Sequence, residues 1–215
     1  MLADLGEPLA GITVLRDGRV LAASFGPGRV WFVDPGEAPP RVFVSGIPGA
    51  NFIVETRRHR ILVSASSAGT VVDITTGTPV ERASGLSFPN GLAVGPAHFL
   101  YVAQTLAGNV VRLRLASNGT LGAAEPYATG VLAADGIGFD RAGTLLAVGA
   151  DTLYVVPPGG GAATALSTDP LLDWPSNLAF GHGRFGRDLY LVNFGLPLGS
   201  GTTILRLPYR RVRQP

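Results

Sequence analysis

Cysteine is absent from this 215-residue chain, and so is lysine; all seventeen basic residues are arginine. Without cysteine there are no disulfides, thiol nucleophiles or cysteine-ligated zinc. Without lysine there is no Schiff-base chemistry. Charge is sparse, at 15% of residues, and aromatics make up 8%. No apolar run approaches the roughly 20 residues of a membrane-spanning helix. The opening Met1-Leu2-Ala3-Asp4 lacks the basic start and apolar core of a secretory signal. The compartment therefore stays open: cytoplasmic, or secreted if the N-terminus is truncated. Helical periodicity is missing too, since no long segment repeats apolar residues at i, i+3, i+4 and i+7. No Gly-x-Ser-x-Gly elbow occurs, which argues against a serine-hydrolase triad. Gly159-Gly160-Gly161 precedes neither lysine nor helix and is no phosphate loop.

What is present is apolar and rich in turns. Hydrophobic residues reach 46%, mean hydropathy is +0.31, and 30 glycines and 17 prolines are spread along the chain. That composition excludes disorder and suits a domain with a substantial core. The isoelectric point near 9.4 reflects a net charge of only +2. Most arginines are scattered, so no nucleic-acid stripe is expected. The clusters Arg57-Arg58-His59-Arg60 and Arg210-Arg211-Val212-Arg213 read as solvated turn and terminus.

Short β-branched and aromatic segments follow one another, among them 29–33, 61–64, 100–103, 109–115, 152–156 and 188–193, with turn signals such as Asp17-Gly18 and Ser117-Asn118-Gly119 between them. They recur with a period. One slot is held by Ala10, Asn51, Asn90, Asp135 and Ser176, spaced by 41, 39, 45 and 41 residues. A second apolar strand starts ten residues after the first four, at Val20, Ile61, Leu100 and Leu145; the fifth has a longer turn before Leu189. Four antiparallel strands per ~40 residues predict a propeller blade. The expected fold is an all-β β-propeller of five four-stranded blades, one domain over 1–215. Whether five blades close is left open; an open arc would expose two sheet faces and favour self-association.

In a propeller, equivalent positions ahead of the innermost strands ring one mouth of the channel. The oxygens of Asn51, Asn90 and Asp135 would converge there from three consecutive blades, a hard donor set suited to calcium. Asn90-Gly91 and Asp135-Gly136 are equally ordinary turn dipeptides, so a plain-turn reading stands beside the ligand reading. His59, His98 and His182 fall in turns out of phase with the ring. Trp31 and Trp174 read as blade packing, with Asp173-Trp174-Pro175 placed to border the mouth.

Three segments carry a family likeness. Phe88-Pro89-Asn90-Gly91-Leu92-Ala93-Val94 with Leu100-Tyr101-Val102-Ala103 is one; 134–143 with its Asp135-Gly136 and Asp140-Arg141-Ala142-Gly143 is another; Pro175-Ser176-Asn177-Leu178 with Leu189-Tyr190-Leu191-Val192-Asn193 is the third. They resemble the senescence marker protein/gluconolactonase/luciferin-regenerating-enzyme-like propellers, with much shared by the paraoxonase-like and strictosidine-synthase-like groups. The resemblance implies a fold usually of six blades and one divalent metal, usually calcium, held by a Glu, one or two Asn and an Asp. It also implies hydrolysis of lactones or esters. Asn90 and Asp135 match the metal-binding Asn and Asp. Asn51 matches an Asn that contacts substrate or metal, and Asp135 would double as a base toward water. Two departures stand out. The blade bearing the Glu has no counterpart: Glu7 in Leu5-Gly6-Glu7-Pro8 resembles its segment but fails the ten-residue ruler, and would reach the metal only through a longer leading loop. Phe52 stands where that Asn is often followed by Asp.

The expected function is a calcium-dependent hydrolase of small lactones or esters, with the cation weakly bound because only one ligand is charged. The alternative is a non-catalytic propeller scaffold, or a truncated or decayed relative.

Overall fold

The computed structural model describes residues 4–33, 39–181, 188–195 and 203–209. His182 and the arginine-rich tail lie outside them. Among the described residues the chain is built of mainly antiparallel sheets with two single-turn 3-10 helices, and no helix there is long and apolar enough to cross a membrane.

Blade 1 comprises β1 (Gly11–Val14), β2 (Val20–Ser24), β3 (Arg29–Val33) and β4 (Arg41–Ser45). Blade 2 comprises β5 (Ala50–Glu55), β6 (Ile61–Ala65), β7 (Thr70–Asp73) and β8 (Val80–Ala83). Blade 3 has β9 (Pro89–Val94), β10 (Phe99–Gln104), β11 (Asn109–Leu115) and β12 (Leu121–Thr129). Blade 4 has β13 (Ala134–Phe139), β14 (Leu145–Gly149), β15 (Thr152–Val156) and β17 (Thr164–Ser167); its two-residue β16 (Gly161–Ala162) pairs parallel with β12 and covers part of that edge. Blade 5 shows β18 (Pro175–Phe180), β19 (Asp188–Asn193) and β20 (Ile204–Pro208) among the described residues. The five-blade propeller expected from the period is present, and β3, β11, β15 and β19 match the expected segments end to end.

Each blade meets the next through its own core. Leu21, Val30 and Ile47 of blade 1 pack on Ile53, Val63 and Ile74 of blade 2. Leu62 and Val71 meet Leu92, Leu100 and Leu113 of blade 3. Tyr101 and Val110 meet Ile137, Leu145 and Val156 of blade 4. Leu146 and Val148 meet Leu178, Leu189 and Leu191 of blade 5. Adjacent residues of the second strand thus point into different cores, which is why β2, β6, β10 and β14 are wholly buried and, but for Ser24, Ser64 and Gln104, apolar. The inner strands β1, β5, β9, β13 and β18 pack in that order. No core of this kind joins blade 5 to blade 1 among the described residues. The outward side of blade 1 leaves Ile12 59% and Val14 67% exposed, and blade 5 leaves Ile204 70% exposed.

Candidate functional site

The period puts the slot before each inner strand, whereas Asn51, Asn90, Asp135 and Ser176 are each the second residue of their strand. Asn90-Gly91 and Asp135-Gly136 are consequently not turns. All four strands carry a bulge at this point. Ala50 and Ile53 face Ala65 and Val63, three residues against two, and the same offset separates Pro89 from Leu92 and Ala134 from Ile137. In β18 it lies between Pro175 and Asn177. A bulge bends the strand and re-aims one side chain. Two residues ahead of each bulged slot the backbone is left-handed, at Gly49 (φ 69°), Phe88 (56°), Ala133 (49°) and Trp174 (48°). Three of those four are not glycine, so strained backbone collects at this mouth. Around Ala10 there is no bulge.

The glycine after the slot is explained by the neighbouring blade. A Cβ on Gly91 would overlap the Asp135 carbonyl, one on Gly11 the Asn51 carbonyl, and one on Gly136 the backbone of Ser176 and Asn177. Slot backbones of consecutive blades therefore lie in contact. At blade 2 the position is Phe52, which packs into the core between blades 2 and 3 while its N–H donates to Ser64 Oγ at 2.9 Å.

A hydroxyl 15 residues after the slot ties neighbours together. Asn51 Nδ2 donates to Ser66 Oγ (3.2 Å), and that hydroxyl donates to the Pro89 carbonyl (2.6 Å), directly before Asn90. Asn90 Nδ2 donates to Thr105 Oγ1 (3.2 Å), which donates to the Ala134 carbonyl (2.8 Å), directly before Asp135. Ala150 occupies the next such position and the relay stops. With their nitrogens engaged, both amides turn their oxygens to the remaining side. Asn90 Oδ1 is buried without a partner, and Asn51 Oδ1 has none among the described residues. Asp135 accepts no hydrogen bond among the described residues, and desolvation pushes its carboxyl up to about 8. Ser176 donates to the Val192 carbonyl of its own blade (3.3 Å), so the fifth slot is turned inward on itself. Asn193, at the end of β19, adds a second buried amide oxygen without a partner. Sequence reasoning missed Ser66, Thr105 and Asn193; the first two had a signal in their shared offset from the slot.

Glu7 does not join this group. Its carboxylate accepts from the Arg29 guanidinium and from Trp31 Nε1 on β3, and chiefly the Arg29 contact holds it down to about 2. Trp31 is thereby a hydrogen-bond donor as well as packing. His59 Nδ1 meets Glu55 Oε1 at 2.7 Å, in the turn at the far end of β5. Among the described residues no three carboxylate, histidine or cysteine side chains cluster as a metal cage. The slot supplies one carboxylate and neutral oxygens, all hard donors. An orphaned buried amide oxygen and a desolvated carboxyl, each lacking a protein partner, fit a hard cation whose coordination water completes.

Solved structures with a similar fold include a gluconolactonase from Xanthomonas campestris (20% identity, TM-score 0.76, covering 97% of this chain and 74% of that one). A luciferin-regenerating enzyme has 17% identity and TM-score 0.76 over 95% of this chain and 78% of its own. The calcium-binding protein regucalcin of Agrobacterium tumefaciens has 18% identity and TM-score 0.70 over 94% and 76%. The fold is shared with the group whose motifs the sequence resembles. No protein-family model matches the sequence, and no curated protein matches it either.

Proposed function

We propose that the chain is a divalent-cation-dependent hydrolase of small lactones or esters, working at the channel mouth formed by Asn51, Asn90 and Asp135. The observation that carries this reading is the pairing of Asn90 Oδ1, buried without a partner, with the Asp135 carboxyl, desolvated without a partner, on blades whose backbones touch. Polar groups left unsatisfied in this way are costly and mark sites completed by something else. Asn51, Asn90 and Asp135 would hold calcium, which when bound supplies polarisation of the acyl carbonyl and stabilises the oxyanion.

The residues' own tasks follow from their atoms. Asn51 and Asn90 present only acceptors, because their Nδ2 groups are committed to Ser66 and Thr105. Asp135 holds a proton at neutral pH when no positive charge is near, and is ionised when one is. The ionised carboxylate accepts the proton of the attacking water as the new C–O bond forms. It returns that proton to the departing oxygen as the acyl C–O bond opens, leaving the hydroxy acid from a lactone or the acid and alcohol from an ester. Phe88 and Trp174, in left-handed backbone beside the slots, form aromatic rims for the substrate. The scaffold reading is favoured by one observation, the lone carboxylate of the site.

Hydrolysis of a panel of lactones and aryl esters, with and without chelator, separates the two. The enzyme reading expects turnover that falls by about 100-fold or more with chelator and in Asp135→Asn, the scale of a lost general base. Absence of turnover across the panel, with a melting temperature indifferent to calcium, would establish the scaffold.

A further inference from the structure

At the opposite end of the inner strands from the slots lies a pocket of about 390 Å³, formed by three turns of blades 2 and 3. The β5–β6 turn contributes Arg57, Arg58 and Arg60, the β9–β10 turn contributes His98, and the end of β11 contributes Arg114 and Ser117. No acidic residue lines it. Arg60 is balanced from behind by Asp73 (3.0 Å), whereas Arg57, Arg58 and Arg114 have no carboxylate partner among the described residues. Arg114 is steadied over the ring of Phe99, 5.1 Å from its centroid.

The repeat marks these turns as altered. Eight residues after the slot, blades 1 and 4 have Gly18 (φ 90°) and Gly143 (82°), the residue that adopts left-handed backbone freely. Blades 2 and 3 have His59 (58°) and His98 (59°) there, with Ala97 (54°) left-handed as well. Among the described turns of this set, strained non-glycine backbone occurs in the two blades that flank the arginine pocket. Strain of this kind persists where the surrounding structure and function require the side chain.

We propose that this pocket binds a small ligand bearing two or more phosphate groups. Guanidinium forks match phosphate oxygens in pairs, and three unbalanced ones around a cavity of small-ligand size demand more than a single negative charge. The inference is independent of lactone hydrolysis, since it uses no residue of the channel mouth.

Calorimetric titration of the full chain with inorganic pyrophosphate tests it, at about 50 and about 200 mM salt. One saturable site is expected. It should weaken about tenfold or more in Arg57→Gln/Arg58→Gln and in Arg114→Gln, the scale of a lost charged hydrogen bond. It should be unchanged in Arg141→Gln, which stands at the position of Arg57 in the corresponding turn of blade 4. The proposal is overturned if the chain shows no saturation below about 10 mM, if the pocket variants bind as well as the parent, or if citrate binds as tightly as pyrophosphate.

Discussion

Asn51 and Asn90 are oriented by their nitrogens, which frees their oxygens for a ligand. That orientation rests on two hydroxyls, Ser66 and Thr105, each also fastened to the carbonyl ahead of the next slot. Asp135 has no such support, and its carboxyl, shifted up to about 8, is the one slot group whose charge responds to pH in the physiological range. Between an unfolded value near 4 and about 8 the folded protein binds more protons than the unfolded chain, so cation-free stability declines as pH rises through that window. The expected loss is about 2–5 kcal/mol. In Asp135→Asn it should vanish, so the stability difference between parent and variant, measured by urea unfolding from pH 4 to 9, isolates this group from other carboxylates. A difference independent of pH would refute the assignment. Asn51, Asn90 and Asp135 were legible as candidates because a polar residue recurring at one phase is unusual. Their hydroxyl partners were not, because serine and threonine at a strand end look like any other turn residue until two blades are placed side by side.

Within each element, the bulge, the left-handed residue before it and the glycine after it act together. The left-handed residue turns the chain into the inner strand, the bulge re-aims the slot, and the glycine lets the neighbouring slot come into backbone contact. Gly91→Ala sets a Cβ against the Asp135 carbonyl and should cost about 1–3 kcal/mol by overpacking, read as a lowered denaturant midpoint. Gly18→Ala, where a Cβ meets nothing but φ is 90°, is the comparison for backbone strain alone. If Gly91→Ala is silent, the blade contact is not as close as described. Period and apolar alternation made the strands legible: β3, β11, β15 and β19 end where sequence reasoning puts them. The bulges were hidden because a bulge is a property of pairing between two strands. The glycines misled for a related reason. Asn-Gly and Asp-Gly are local turn signals, and here a tertiary contact accounts for the glycine.

Across the molecule, the proposed site is a product of assembly. Four cores join five blades in sequence order, and the slots of blades 2, 3 and 4 line up because those cores fix each blade against the next. Blades 1 and 5 leave Ile12, Val14 and Ile204 exposed on their outer sides. Those are the faces on which an open arc would self-associate, a possibility that the sequence left open. Glu7 was the one carboxylate with a claim to extend the donor set, and Arg29 holds it elsewhere. The central claim is therefore a cation site with a single negative ligand shared among three blades. Calorimetric titration of calcium into the full chain and into Asp135→Asn tests it most directly. One site is expected, with a dissociation constant of about 0.1–1 mM near pH 8, tightening as pH rises and at least tenfold weaker in the variant, roughly the worth of one charged ligand. Submicromolar binding that survives Asp135→Asn, or no saturable binding at all, would contradict it.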